Sequence, residues 1–132
     1  MKNLLLFLFV ICQFFAIGQT ETFNSSSTST QESTFKTKSI ARKVIITANM
    51  VTVTNLWNAG KDDAKLKIDK VVDKEYFIQG MCKWYYCTST VKDVTNGYEK
   101  VIVIVSENQE QIDVFDFADE VTVYHSRLYI DR

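Results

Sequence analysis

From residue 40 onward, apolar and polar positions alternate with the period of β-strands. In MVTVTN (50–55), Val51 and Val53 alternate with Thr52 and Thr54, and in AKLKIDKV (64–71), Leu66 and Ile68 alternate with Lys65, Lys67 and Asp69. A period of two sends one set to a core and the other to solvent. Between these runs, NAGKDD (58–63) is a turn signal, so a hairpin is expected across it. KVIITA (43–48) is a further β-branched run. The pattern around Asn49 fits either one long bulged strand or two separate ones.

Further along, Gly80 marks a bend, and KWYYCTS (83–89) has strand composition. Asn96-Gly97 is the strongest short turn dipeptide. Every position of VIVIV (101–105) is apolar, as expected of a central strand covered on both faces. IDVFDF (112–117) and VTVYHSRLYI (121–130) complete the series. A helix over EQIDVFDFADEV (110–121) is disfavoured by its β-branched and aromatic residues, leaving a short turn near Ala118. The expected fold is all-β: a small antiparallel β-sandwich or partly open barrel of six to eight short strands over residues 40–132.

The first 39 residues read differently. Lys2 precedes an apolar run over 4–16 broken only by Gln13, and Ala16-Ile17-Gly18 supplies small residues for cleavage before Gln19. Residues 1–18 thus read as a signal peptide; the run is shorter than the ~20 residues of a spanning helix. The chain is expected to be secreted or periplasmic, with no stable membrane insertion after cleavage. Cys12 leaves with the signal. Residues 19–39 are more than half Ser and Thr, and read as a flexible leader ahead of the β-domain.

Composition narrows the chemistry. Among 132 residues, 15 Lys and Arg nearly balance 16 Asp and Glu, with no basic block, which argues against a nucleic-acid partner. Without proline, the edge strands rely on Lys65, Lys67, Lys70, Lys83 and Lys100 for protection. His125 is the only histidine, and neither a phosphate-binding glycine loop nor a G-x-S-x-G elbow occurs. Asp113, Asp116, Asp119 and Glu120 lie close together but lack the loop glycine of a calcium site, and read as solvated carboxylates at a strand end. No metal or cofactor is expected.

Two features remain. Cys82 and Cys87 are five residues apart, about 16 Å along a strand, whereas a disulfide needs Cα atoms within about 4.4–6.8 Å. A bridge therefore requires the chain to turn between them; the other arrangements are two free buried thiols, or an intermolecular or metal role. The second feature is a set of amphipathic aromatics, Trp57, Trp84, Tyr85 and Tyr86, which are the ligand-binding candidates. Along a strand Trp84 and Tyr86 share one face, while Tyr85 and Cys87 share the other. The functional expectation is a non-enzymatic binding module for a ligand or protein partner at an aromatic surface. The alternatives are a secreted carboxylate-dependent hydrolase and a structural envelope or matrix component with edge strands paired between chains.

Overall fold

A computed structural model describes residues 19–31, 35–57, 60–90, 100–117 and 123–132. Ten strands follow in chain order: β1 (Glu21–Ser25), β2 (Ser27–Gln31), β3 (Phe35–Lys38), β4 (Arg42–Ile46), β5 (Met50–Trp57), β6 (Asp62–Glu75), β7 (Met81–Ser89), β8 (Lys100–Val105), β9 (Gln111–Phe117) and β10 (Val123–Tyr129). A 3-10 turn, Phe77–Gln79, precedes β7. All ten form one antiparallel sheet, in the order β1-β4-β5-β6-β7-β8-β9-β10-β2-β3. The hairpin expected across 58–63 is the β5–β6 pair, and two strands flank Asn49. The Asn96-Gly97 turn and the turn near Ala118 fall outside the described residues.

The sheet order forces a curl. β1 and β2 are separated only by Ser26, yet β1 pairs with β4 at one end of the sheet and β2 pairs with β10 near the other. One run of chain can serve both ends only if the sheet bends round to bring them together. The seam carries its own bonds. Ser26 donates from its backbone N–H (3.2 Å) and hydroxyl (2.7 Å) to Asp131 Oδ1, and the Asp131 N–H donates to the Asn24 carbonyl at 2.8 Å. The result is a half-barrel, a single curled sheet rather than two stacked ones.

Three of the ten described strands lie in 19–39, the stretch read from sequence as a flexible leader ahead of the β-domain. Phe23, Ser25, Thr28 and Ser29 are buried. The physical reason is that Thr is β-branched and Ser is small. Both pack on a pleated surface, and sheet pairing satisfies their backbone groups whatever the side-chain polarity. The described strands number ten where six to eight were expected; seven of them lie in 40–132 and three, β1–β3, precede it.

The inner face of the curl is the core. Phe23, Val44, Val51, Val53, Leu66, Tyr85, Val103, Ile112, Val114 and Leu128 form one buried cluster drawn from strands all round the sheet. Arg42 is buried with them at the bend between β1 and β2. Its Nε donates to the Asn55 carbonyl at 3.0 Å and its guanidinium to the Thr28 hydroxyl, and burial pulls its pKa down.

Two registers set which side chains of β6 face each side of the sheet. β6 outruns β5, whose last ladder partner is Lys67, and continues against β7 alone. A bulge between Ile68 and Lys70 leaves Asp69 as an extra residue. It reverses the parity of β6: Leu66 and Ile68 face inward before it, and Val71 and Asp73 after it.

If β1 belongs to the core, Phe23→Ala should destabilise the chain by about 3 kcal/mol in urea unfolding, the usual cost of emptying a buried aromatic site. A change near zero would return 19–39 to the status of a leader.

Candidate functional site

Strand β7 is covered by protein on its inner face and by an aromatic cluster on its outer face. Tyr85 and Cys87 point inward, in register with Val103 and Val101 of β8. Trp84 and Tyr86 point outward, opposite Ile104 and Ile102. The all-apolar stretch 101–105 is explained by the same parity: Val101, Val103 and Val105 enter the main core, while Ile102 and Ile104 join a second, outer cluster with Tyr76, Cys82, Trp84 and Phe115.

The outer cluster presents a platform. The rings of Trp84 and Tyr86 lie 6.4 Å apart and 24° from parallel. Tyr76, just before the 3-10 turn, meets Trp84 edge-on at 5.5 Å and Phe115 edge-on at 6.3 Å. Trp84 is pinned further by donation from its indole Nε1 to the Lys74 carbonyl at 3.1 Å. Two lysines of β6 reach across: Lys70 Nζ stands 4.6 Å from the Tyr86 centroid, and Lys74 Nζ 4.6 Å from that of Trp84. Beside Tyr86 opens a groove of about 270 Å³ bordered by Asp69, Lys70, Lys100 and Ile102. At its rim, the Thr88 hydroxyl donates to Asp69 at 2.6 Å, and Lys100 donates to Thr88 at 2.8 Å. Phe77, 89% exposed, extends the aromatic surface from the turn.

The same face holds the best-built charged group. Asp113 is 1% exposed, and Arg127 donates to both its oxygens, from Nε to Oδ1 at 2.8 Å and from a terminal nitrogen to Oδ2 at 3.2 Å. Gln111 Nε2 adds a bond to Oδ2 at 3.2 Å. The expectation of a solvated carboxylate at Asp113 is therefore corrected. The Tyr76 phenol lies against this pair, and burial together with the Asp113 charge pushes it up to about 12. Asp113 in turn holds the Arg127 guanidinium above its ordinary range. A carboxylate forked by arginine and shut from solvent has no free lone pair for nucleophilic work. It is the buried member of a half-exposed ion pair, and removing Arg127 would leave its charge buried without its main partner. Asp119 and Glu120 lie outside the described residues. The backbone of His125 pairs with Phe115 and Gln31.

Of the four aromatic candidates, the structure brings Trp84 and Tyr86 together. Tyr85 goes to the inner face, and Trp57 packs against the inner core from β5, its buried Nε1 lacking a partner among the described residues. Lys70, read from sequence only as edge protection, and Lys74, which the sequence reading did not single out, belong to the platform. Alternation along β6 would have found them only if the Asp69 bulge had been known. Arg127 carried no sequence signal, because its pairing with Asp113 depends on the β9–β10 register.

Cys82 and Cys87 are free thiols on opposite faces of β7, so no bridge joins them. The chain does not turn between them; it runs straight through Lys83-Trp84-Tyr85-Tyr86 as a strand. Burial, aided by the Asp69 charge, pushes the Cys87 thiol up to about 12, and burial raises that of Cys82. Among the described residues, no three His, Cys, Asp or Glu side chains are grouped to hold a metal ion. Comparison with protein-family models, curated proteins and solved structures finds no match.

Both thiols should be inert to a thiol reagent at pH 8 in the folded chain starting at Gln19, and two should titrate after unfolding without reductant. Zero would mean a disulfide. Cys87 holds its proton more tightly folded than unfolded, so the associated stability is full below its ordinary 9.0 and is lost as pH rises toward about 12. Urea midpoints measured from pH 7 to 11 should be flat at first and then fall.

Proposed function

We propose that this chain is a non-enzymatic binding domain, exported by a cleaved signal at residues 1–18, that docks an anionic ligand on the outer face of β7. The observation that carries this reading is the near-parallel Trp84–Tyr86 pair, fixed on a central strand, with the ammonium groups of Lys70 and Lys74 beside its rings. Two aromatic rings held by a sheet provide a large contact area at little entropic cost, because they are ordered before a ligand arrives.

The ligand that fits combines apolar ring faces with regularly placed negative charge. An acidic polysaccharide has both. Its sugar rings stack on Trp84 and Tyr86, and its carboxylates pair with Lys70 and Lys74. The Asp69–Thr88–Lys100 network at the groove offers donors and acceptors to sugar hydroxyls. The hydrolase alternative gains no support from Asp113, whose carboxylate is committed to Arg127.

Titration of the chain with oligogalacturonate, followed by tryptophan fluorescence, tests the reading against a neutral maltooligosaccharide. Saturable binding of the acidic probe alone is expected, weakening with salt. Trp84→Ala and Tyr86→Ala should each cost about tenfold in affinity, within the range of one good aromatic contact. Lys74→Gln should weaken binding and flatten its salt dependence. Equal binding of both probes, or unchanged affinity in the two aromatic variants with native circular dichroism, would refute it.

A further inference from the structure

The end of the curl near the β5–β6 turn holds a buried positive charge without a counter-ion. Arg42 faces the core with Val44 and Ile46 and is only 7% exposed. The ion pairs of the described residues join Lys100 to Asp69, Arg127 to Asp113 and Arg132 to Glu110, and none includes Arg42. Asp63, close by on β6, instead accepts from the Asn55 N–H at 2.9 Å. Burial pulls the Arg42 pKa down, with no carboxylate to offset it, whereas Asp113 holds that of Arg127 up. Arg42 Nε and one Nη donate to uncharged oxygens, the Asn55 carbonyl and the Thr28 hydroxyl. The second Nη has no partner among the described residues and is not sealed from solvent. Buried charges are ordinarily paired, so this guanidinium stands out.

A second donor at the same end is also unpaired. Trp57 Nε1 is the one buried side-chain polar atom without a hydrogen-bond partner among the described residues. A buried indole N–H usually finds an acceptor. Strand register brings Trp57 and Arg42 to one end of the inner face. Val44 pairs with Val53, so Arg42 comes opposite Asn55. Trp57, two residues on, opposes Asp62 and packs against the core. The following turn folds back over the same place. The N–H groups of Gly60 and Lys61 each donate to the Trp57 carbonyl at 3.1 Å. Gly60 lies so close that a Cβ there would stand 3.6 Å from the Asn55 carbonyl oxygen, the acceptor for Arg42.

Both unpaired groups are donors and neither can accept. What completes them is an acceptor, and the charge of Arg42 requires it to be an anion. One positive charge is balanced by a monoanion, and Asp62 and Asp63 at the start of β6 oppose anything more highly charged. The planar guanidinium matches the planar carboxylate.

We infer that Arg42 and Trp57 form a binding site for a small carboxylate at the β5–β6 end of the curl, bonded by the free Nη of Arg42 and the indole N–H of Trp57. The site lies on the inner face and is independent of the lysine-flanked platform on the outer face of β7.

Nuclear magnetic resonance titration of the chain with sodium acetate at constant ionic strength tests this. Trp57 and Trp84 are the only tryptophans, so their indole N–H signals are readily assigned. Acetate is expected to move the Trp57 signal saturably, while that of Trp84, bonded to the Lys74 carbonyl, stays in place. Acetamide, neutral and of the same shape, should bind about tenfold more weakly or worse, the difference between a charged and a neutral hydrogen-bond acceptor. Trp57→Phe keeps a ring and loses the N–H. It should weaken acetate about fivefold, read from the Arg42 Nε–H signal. Arg42→Gln should abolish saturable binding, and Lys74→Gln should leave it unchanged, which separates this site from the platform. No saturable shift at Trp57, equal binding of acetamide, or unchanged acetate affinity in Trp57→Phe or in Arg42→Gln with native circular dichroism would each overturn the inference.

Discussion

Chain continuity at Ser26 is the constraint on which the rest of this structure depends. A single residue separates a strand that pairs with β4 from one that pairs with β10, and these partners stand toward opposite ends of the sheet. The sheet therefore has to curl, and curling gives it an inside. Once an inside exists, strand parity decides the fate of each side chain. Val44, Val53, Val103 and Leu128 are buried because they face inward, and their neighbours are left to solvent or to the outer cluster. The small, hydroxylated side chains of β2 suit the seam: Thr28 accepts from the buried Arg42, and Ser26 holds Asp131.

The curl also determines the composition of β7 and β8. Strands covered on both faces need apolar residues at every position, which explains both VIVIV and the aromatic density of KWYYC. The outer cover here is modest. Among the described residues it consists of the segment from Tyr76 to Gly80, with the Asp113–Arg127 pair beneath it. Trp84 and Tyr86 are therefore packed firmly enough to be fixed and covered incompletely enough to remain available. That combination, rather than exposure alone, favours the outer face as a docking surface.

Much of the β5–β8 architecture was legible in the residue pattern. The alternation of 50–55 and 64–71 and the polar run between them specify a hairpin, and VIVIV specifies a two-sided strand. The alternation of Trp84, Tyr85 and Tyr86 was legible too, but which set faces the core was not. That depends on the neighbouring strands, and on β6 the Asp69 bulge reverses parity in mid-strand. The cysteine spacing already argued against a bridge within a straight strand. Two things were hidden. Ser/Thr-rich composition gives the same signal for a spacer and for a strand whose role is backbone pairing at a seam, so nothing in the pattern distinguishes β1–β3 from a leader. The Asp113–Arg127 pair joins residues of adjacent strands, and neither residue has a local pattern that announces it.

The claim that residues 21–31 form the strand run joining the two ends of the sheet is tested most directly by amide hydrogen exchange. In the full chain, the amides of β2 that pair with β10 and β3 should exchange at least ~100-fold more slowly than unstructured peptide, approaching the protection of β7 and β8. Exchange across 21–31 at the unstructured rate, with β7 and β8 still protected, would show that the segment lies outside the sheet and would contradict the account of the curl.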